Sequence, residues 1–285
     1  MRGQPALAGG MFTAGVDQAT PGYRLPLDHL ILAAGRAGFS VLEVPAHAVA
    51  DYYARHGTSA LKRLLDEQGV QVGQLSCGTG IPADLTAPSG AWPEAVRRWG
   101  TVCHLAERVG CGRLSVFVPR PATDARLVTG RLSQLARIAT GHGLVVSVEV
   151  HAPALLGQAA QIVQEARNEG EVGLLVDVAA LVLAGRDPLA DLAAWPPGTV
   201  TWVHLADLPE PGPAAPRRVL PGHGRLPLAD VLTALHHHGY TGVVSVEVPR
   251  TDSTRRAAAA RLSWAAAALT RPGLAPFFTP KGDVL

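Results

Sequence analysis

Four stretches decide the fold: LVVSVEVH (144–151), VGLLVDVAAL (172–181), VTWVHLAD (200–207) and GVVSVEVP (242–249). Each is a short β-branched and aliphatic run that reaches an acid or an imidazole near its end. Runs that are apolar on both alternating faces are expected of strands in a parallel sheet covered on both sides. Working outward, the runs at 144–150, 172–176, 200–205 and 243–248 are joined by others at 11–16, 40–44, 70–75 and 114–118, eight in all. Longer segments with helical spacing lie between them. Leu61, Leu64 and Leu65 share one face, as do Val96, Val102, Leu105 and Val109, then Leu132, Leu135 and Ile138, then Leu226, Leu232 and Leu235. Gly38, Gly69, Gly110, Gly143, Gly170 and Gly239 stand where the residue after a helix is expected.

Eight strands alternating with about eight helices predict an α/β chain closed into a (β/α)8 TIM barrel. The barrel is expected as a single domain over 11–271, with a flexible N-terminus at 1–10 and a C-terminal appendage at 272–285. An open Rossmann-like sheet is disfavoured, because no GxGxxG follows the first strand and nothing marks a topological switch point. One connection, 207–226, is long for a βα turn and holds five prolines, three glycines and three arginines, so a functional loop is expected there. In the appendage, Phe277 and Phe278 are expected to pack on the barrel or on a partner subunit.

Composition narrows the function classes. The chain has 285 residues, 47% hydrophobic and 17% charged, which is ample for a large core and excludes disorder for its bulk. The net charge of +2 is too balanced for a dedicated nucleic-acid binder. Cys77, Cys103 and Cys111 have no CxxC spacing and cannot all pair, which argues against a disulfide framework or a thiolate zinc site. No apolar run is long enough to cross a bilayer. A soluble, reduced, cytoplasmic protein is expected.

In this architecture the chemistry sits where strands end and βα loops begin. Strand five ends through Glu149 to His151, strand six at Asp177, strand seven with His204, and strand eight at Glu247. One acid after a strand is as often a helix cap as a functional group, and one histidine on an apolar strand is more often a core residue. Four consecutive strands carrying such groups at one height are different: converging carboxylates repel, and a divalent cation is the simplest way to let them coexist. Glu43, at the end of strand two, is a further candidate against a buried structural ion pair. His47 follows it, and Cys77 is expected in the pocket wall. The run His236–His238 resembles a metal tract, but successive helical side chains diverge by about 100°, and cations suit a helix C-terminus.

The motifs SVEVH, LLVDVAAL, VHLAD, Arg218-x-x-PGxG and GYTGVVSVEV resemble those of the sugar phosphate isomerase/epimerase superfamily, the xylose isomerase-like TIM barrels. That group includes ketose 3-epimerases, hydroxypyruvate isomerases, inosose dehydratases and, more distantly, DNA repair enzymes of the endonuclease IV type. The resemblance spans residues 11 to about 270 and is densest over 149–247. It implies that Glu149, Asp177, His204 and Glu247 hold one divalent ion (Mn²⁺, Mg²⁺, Co²⁺ or Zn²⁺). It also implies that Glu149 and Glu247 move a proton via an enediolate, and that Arg218 contacts substrate. Small carbohydrate-like substrates and a homodimer are implied, with neither nucleic acid nor membrane as a partner. An isomerase or epimerase is therefore expected, with a dehydratase (lyase) or a non-catalytic relative as alternatives. Two departures bear on this: Ala180 stands where the family usually has a histidine, and Leu155 where ketose epimerases often carry a glutamate. His151, on the same strand face as Glu149, could supply a replacement polar group. AP endonuclease activity is disfavoured, because in the family it needs further histidines, including one at position 180.

Overall fold

All eight apolar runs form strands, and the strands close on themselves. The computed structural model describes residues 12–18, 25–77, 85–120, 122–212, 218–249 and 255–278, with backbone alone at 255–259. The strands are β1 (Thr13–Asp17), β2 (Val41–Pro45), β3 (Gln71–Ser76), β4 (Arg113–Val118), β5 (Val145–Val150), β6 (Val172–Asp177), β7 (Val200–Leu205) and β8 (Val243–Val246). Each pairs in parallel with its sequence neighbour, and β1 pairs with β8 from Thr13 opposite Val243 to Val16 opposite Val246. The protein is a (β/α)8 TIM barrel.

The helical layer is more divided than the periodicity predicts. It comprises α1 (Leu27–Ala37), α2 (Ala46–His56), α3 (Thr58–Gln68), α4 (Trp92–Val109), α5 (Ala125–Thr140), α6 (Pro153–Leu156) and α7 (Ala159–Ala166). It continues with α8 (Val178–Leu183), α9 (Pro188–Ala194), α10 (Leu228–His237) and α11 (Arg255–Leu269). The connections after β2, β5 and β6 each carry two helices where one was expected. The breaks follow local chemistry: a positive-φ glycine separates α2 from α3 at Gly57, and Pro188 opens α9 behind the Asp187 cap. Gly38, Gly69 and Gly110 do end helices in the left-handed conformation. Gly170 does not. It lets the chain pass α5, since a Cβ there would lie 2.6 Å from the Ala136 backbone.

The barrel has two distinct cores. Outward-facing residues such as Val116, Val146, Val148, Leu174 and Val176 join the large apolar layer between sheet and helices. Inside the barrel, Trp202 is fully buried and packs with Val41, Leu175 and Val243. Glycines make room for that indole and for the tightly packed strands around it. A Cβ on Gly73 would lie 2.4 Å from Val41 Cγ1 and 3.0 Å from the Trp202 ring, and one on Gly173 would lie 2.2 Å from Thr201 Cγ2. Trp202 thus plugs the cylinder below the rim that carries the polar side chains.

Phe277 and Phe278 are buried, Phe278 forms a bridge to Phe12 beside β1, and their rings lie 6.5 Å apart. The pair therefore packs on the barrel. The rest of the expected appendage, 279–285, and the N-terminus at 1–10 lie outside the described residues. Among the described residues no helix is long and apolar enough to cross a membrane, and all three cysteines are unpaired and buried.

Replacing Gly73 by alanine is expected to destabilise the chain by about 1–3 kcal/mol through overpacking. Gly112→Ala, where a Cβ would meet nothing within 4 Å, is expected to stay within about 0.5 kcal/mol. Urea denaturation of the two variants checks this, and equal midpoints would contradict the interior packing described.

Candidate functional site

The strand register places the polar side chains at one height. Asp17 pairs with Glu43, and Asp177 pairs with His204. Glu149 stands opposite Phe117 on β4, and Glu247 follows the end of β8 with its amide donating to Leu205 O at 3.1 Å. A cavity of about 290 Å³ opens at this C-terminal rim, lined by Asp17, Glu43, Glu149, His151, His204 and Glu247. A smaller recess of about 40 Å³ adjoins it beside Asp177, with Ala180, Leu181 and Trp195 in its wall.

His204 is the hub. Its Nε2 lies 2.7 Å from Glu43 Oε2 with both side chains buried, and its Nδ1 lies 3.6 Å from Glu247 Oε2. One donor atom each from Glu149, Asp177 and His204 lies within 4.8 Å of the other two, and Asp17, Glu43 and His204 form a second such trio. His204 Nδ1 is buried without a hydrogen-bond partner, while Asp177 Oδ2 faces Arg218 and Asp177 Oδ1 caps α8 through the Ala180 amide. A mixed imidazole and carboxylate donor set of this kind fits a divalent ion of borderline to hard character. The backbone of Ala180 is what the local structure uses, so the cap survives the absence of a histidine there.

Arg218 crosses the rim. It lies 2.7 Å from Asp177 Oδ2 in a buried ion pair, and it pairs with Glu247 Oε2. Of the four ligands expected from the sequence, Glu149, Asp177 and His204 come together, whereas Glu247 stands beside His204 and is held by Arg218. His151 lies 3.0 Å from Glu149 Oε2. Two expectations are corrected. Cys77 is buried off the cavity, with Ser76 in the wall instead, because the pleat turns alternate residues away from the interior. His47 is exposed near the start of α2. His236–His238 do not assemble into a site, and His238 instead contacts Trp195 O at 3.2 Å.

The two glutamates differ electrostatically. Burial alone would raise Glu149, but the hydrogen bond and charge of His151, with His204 and Arg218, outweigh it and hold the carboxyl below its ordinary value. Burial raises Glu247 to about 7, reinforced by Asp177 and Glu149 and opposed by His204 and Arg218. Burial works to lower His204, yet Glu43 and Glu247 carry it well above the ordinary histidine value. His151 is likewise raised against burial by Glu149. One carboxylate held ionised and another held near neutrality is the arrangement from which acid and base roles are drawn.

Asp207 is the residue that the sequence reading missed. It is buried, and its two carboxylate oxygens accept four backbone amides, from Leu208, Gly222, Gly224 and Leu226, at 2.8–3.1 Å. Its own backbone pairs with Val219, beside Arg218. A Cβ on Gly224 would lie 2.2 Å from Leu208 O, which explains the second glycine of PGxG. Asp207 therefore fixes the loop that delivers Arg218. Asp17 was also missed, because strand one was expected to stop a residue short of it; its place at the end of an apolar run was the available signal.

The family described as "Xylose isomerase-like TIM barrel" matches residues 31–268. A Streptomyces coelicolor protein named as a candidate hydroxypyruvate isomerase is 29% identical over 255 residues, covering 78% of this chain and 85% of that protein. Among solved structures, a xylose isomerase domain protein from Alicyclobacillus acidocaldarius has a TM-score of 0.77 at 23% identity, covering 93% of this chain and 99% of its own. IolI, solved with a bound zinc atom, has a TM-score of 0.79 at 18% identity, with the same coverages.

Asp207→Asn leaves one strong acceptor oxygen for four amides and is expected to destabilise the chain by about 2–4 kcal/mol. Limited proteolysis within 207–226 should accelerate, and an unchanged digestion pattern would contradict the anchoring role. A second expectation concerns pH. Glu247 titrates at about 7 in the folded metal-free chain against an ordinary 4.5, so between these values the folded state binds a proton that the unfolded state releases. Its contribution to stability should therefore fall as pH rises from 4.5 through 7. Urea midpoints at pH 5 and pH 8 should show a smaller decline in Glu247→Gln than in the wild type, and identical declines would contradict it.

Proposed function

The chain belongs to the xylose isomerase-like TIM-barrel family, and we propose that it is a divalent-metal-dependent isomerase of a small hydroxy-carbonyl compound. The observation that carries this reading is the convergence of Glu149, Asp177 and His204 donor atoms within 4.8 Å, beside Glu247 and a closed-bottomed cavity. Glu149, Asp177 and His204 Nδ1 would hold the ion, with Glu247 as the fourth ligand once released from Arg218. Glu43, on the other ring nitrogen, would orient the imidazole, as carboxylates do for metal-bound histidines. Bound there, the metal would polarise the carbonyl and hydroxyl oxygens of the substrate.

The protein's own groups then divide the proton work. One glutamate takes the proton from the carbon beside the carbonyl, and the other returns a proton to the neighbouring carbon of the enediolate. Glu149 and Glu247, which both line the cavity, are the two glutamates placed for these roles. Arg218, freed from the carboxylates, would hold an anionic or hydroxyl oxygen of the substrate. A cavity of about 290 Å³ lies at the lower end of ligand-pocket volumes and suits a small polar molecule. The likeness to the Streptomyces coelicolor protein makes hydroxypyruvate the first compound to test.

Solvent deuterium exchange into hydroxypyruvate and a panel of ketoses, with Mn²⁺-loaded and metal-stripped protein, tests the proposal. Exchange is expected only with the loaded protein, and the variant of whichever glutamate takes the carbon proton, Glu149→Gln or Glu247→Gln, should slow it about 100- to 10,000-fold. Exchange accompanied by loss of water from a cyclic polyol would reassign the chain as a dehydratase. No exchange with any compound despite bound metal would overturn the enzymatic reading.

A further inference from the structure

A second cluster of metal-ligand type lies at the opposite end of the barrel. His104 and Glu107 are one turn apart on α4, and His142 sits in the turn joining α5 to β5. His104 Nδ1 lies 3.1 Å from Glu107 Oε2, and His142 Nδ1 lies 3.0 Å from Glu107 Oε1. The two rings meet edge to face with centroids 4.6 Å apart. One donor atom from each of the three residues lies within 4.8 Å of the others. From these observations we infer that His104, Glu107 and His142 form a surface site for a borderline transition-metal ion such as Zn²⁺, separate from the rim.

The chemistry selects the ion class. Two imidazole nitrogens and one carboxylate oxygen form a three-ligand set for zinc, with water completing a tetrahedron. A tetrahedral zinc with bonds near 2.1 Å needs its donors about 3.4 Å apart; the three donor atoms lie within 4.8 Å of one another, and each histidine now reaches a different oxygen of Glu107, so the ion would replace those two contacts after a small side-chain shift. Calcium and magnesium, which prefer oxygen ligands, are disfavoured. No lysine or arginine occupies the Glu107 carboxylate, whose ion-pair partners among the described residues are these two histidines. Hydrogen bonds and charge from His142 and His104 outweigh a small burial effect and lower the Glu107 carboxyl, keeping it ionised. Cys103, on the same helix, is buried, and its thiol is pushed up to about 12 by burial and then by Glu107, so it is not a fourth ligand.

The scaffold holds the donors in place. Trp92 Nε1 donates to Gln134 Oε1 at 2.7 Å and Trp99 Nε1 donates to Leu135 O at 3.0 Å, locking α4 to α5. The His142 turn is closed by amide bonds from His142 to Ala139 O and from Gly143 to Thr140 O, with Gly143 at a φ of +69°. The backbones that carry the donors are therefore held, while the exposed His104 and Glu107 side chains are what the metal would order. An ion here would clip α4 to the start of β5, on the face of the barrel that bears on stability. It would lie roughly 20 Å from the rim, at one strand's length.

Zinc titration of metal-stripped protein, read by calorimetry and by the thermal midpoint, tests this with wild type, His142→Ala, His104→Ala and Glu149→Gln. The surface site should bind zinc in wild type and in Glu149→Gln and raise the midpoint in both. His142→Ala and His104→Ala should each weaken that event at least 10-fold, remove its share of the thermal gain, and keep the far-ultraviolet circular dichroism of the wild type. A single wild-type event abolished by His142→Ala would support the surface site and count against the rim. Zinc binding by both histidine variants with wild-type stoichiometry and affinity would overturn the inference, as would a single wild-type event abolished only by Glu149→Gln.

Discussion

Crowding of negative charge at one end of the cylinder governs the rest of the site. Strand register brings Asp17, Glu43, Glu149, Asp177 and Glu247 to the rim, against His151, His204 and Arg218. Arg120, in the wall of the adjoining recess, is a further cation near Glu149 and Asp177. Buried like charges at this density cannot all stay ionised without a counter-charge. Proton uptake by Glu247 and the span of Arg218 from Asp177 to Glu247 are how the metal-free chain meets the constraint. A divalent cation would meet it directly, and would leave Arg218 available to a substrate.

That arrangement depends on two supports away from the chemistry. Trp202, admitted by Gly73 and flanked by Val41, Leu175 and Val243, fills the barrel below the rim. Asp207, satisfied by four amides, holds the loop from which Arg218 reaches across. One support is apolar and volumetric, the other polar and directional. Loss of either moves the functional groups without touching them.

The sequence was legible where one strong local signal sufficed. Apolar runs announced the strands, and because each strand ends at the same face of the barrel, Glu149, Asp177, His204 and Glu247 could be placed at one height before any coordinates. Glu43 was legible as a candidate but not as the partner of His204, since that contact joins strands 161 residues apart. Asp207 was hidden because its partners are backbone amides, which carry no residue signature. Gly170 misled because a glycine needed for close approach reads like one that ends a helix. The extra helices after β2, β5 and β6 were merged because their apolar faces continue across short breaks. Ala180 remains the local departure with the clearest consequence: it leaves a recess beside Asp177, walled by Leu181 and Trp195 as well as Arg120 and His151, where the family resemblance implied an imidazole.

The shared cation site is tested most directly by an anomalous-difference map from crystals grown with Mn²⁺. The expected result is one rim peak within about 2.4 Å of Glu149, Asp177 and His204 Nδ1, with Arg218 withdrawn from Glu247. A map with no rim peak, with Arg218 still bridging Asp177 and Glu247, would contradict it.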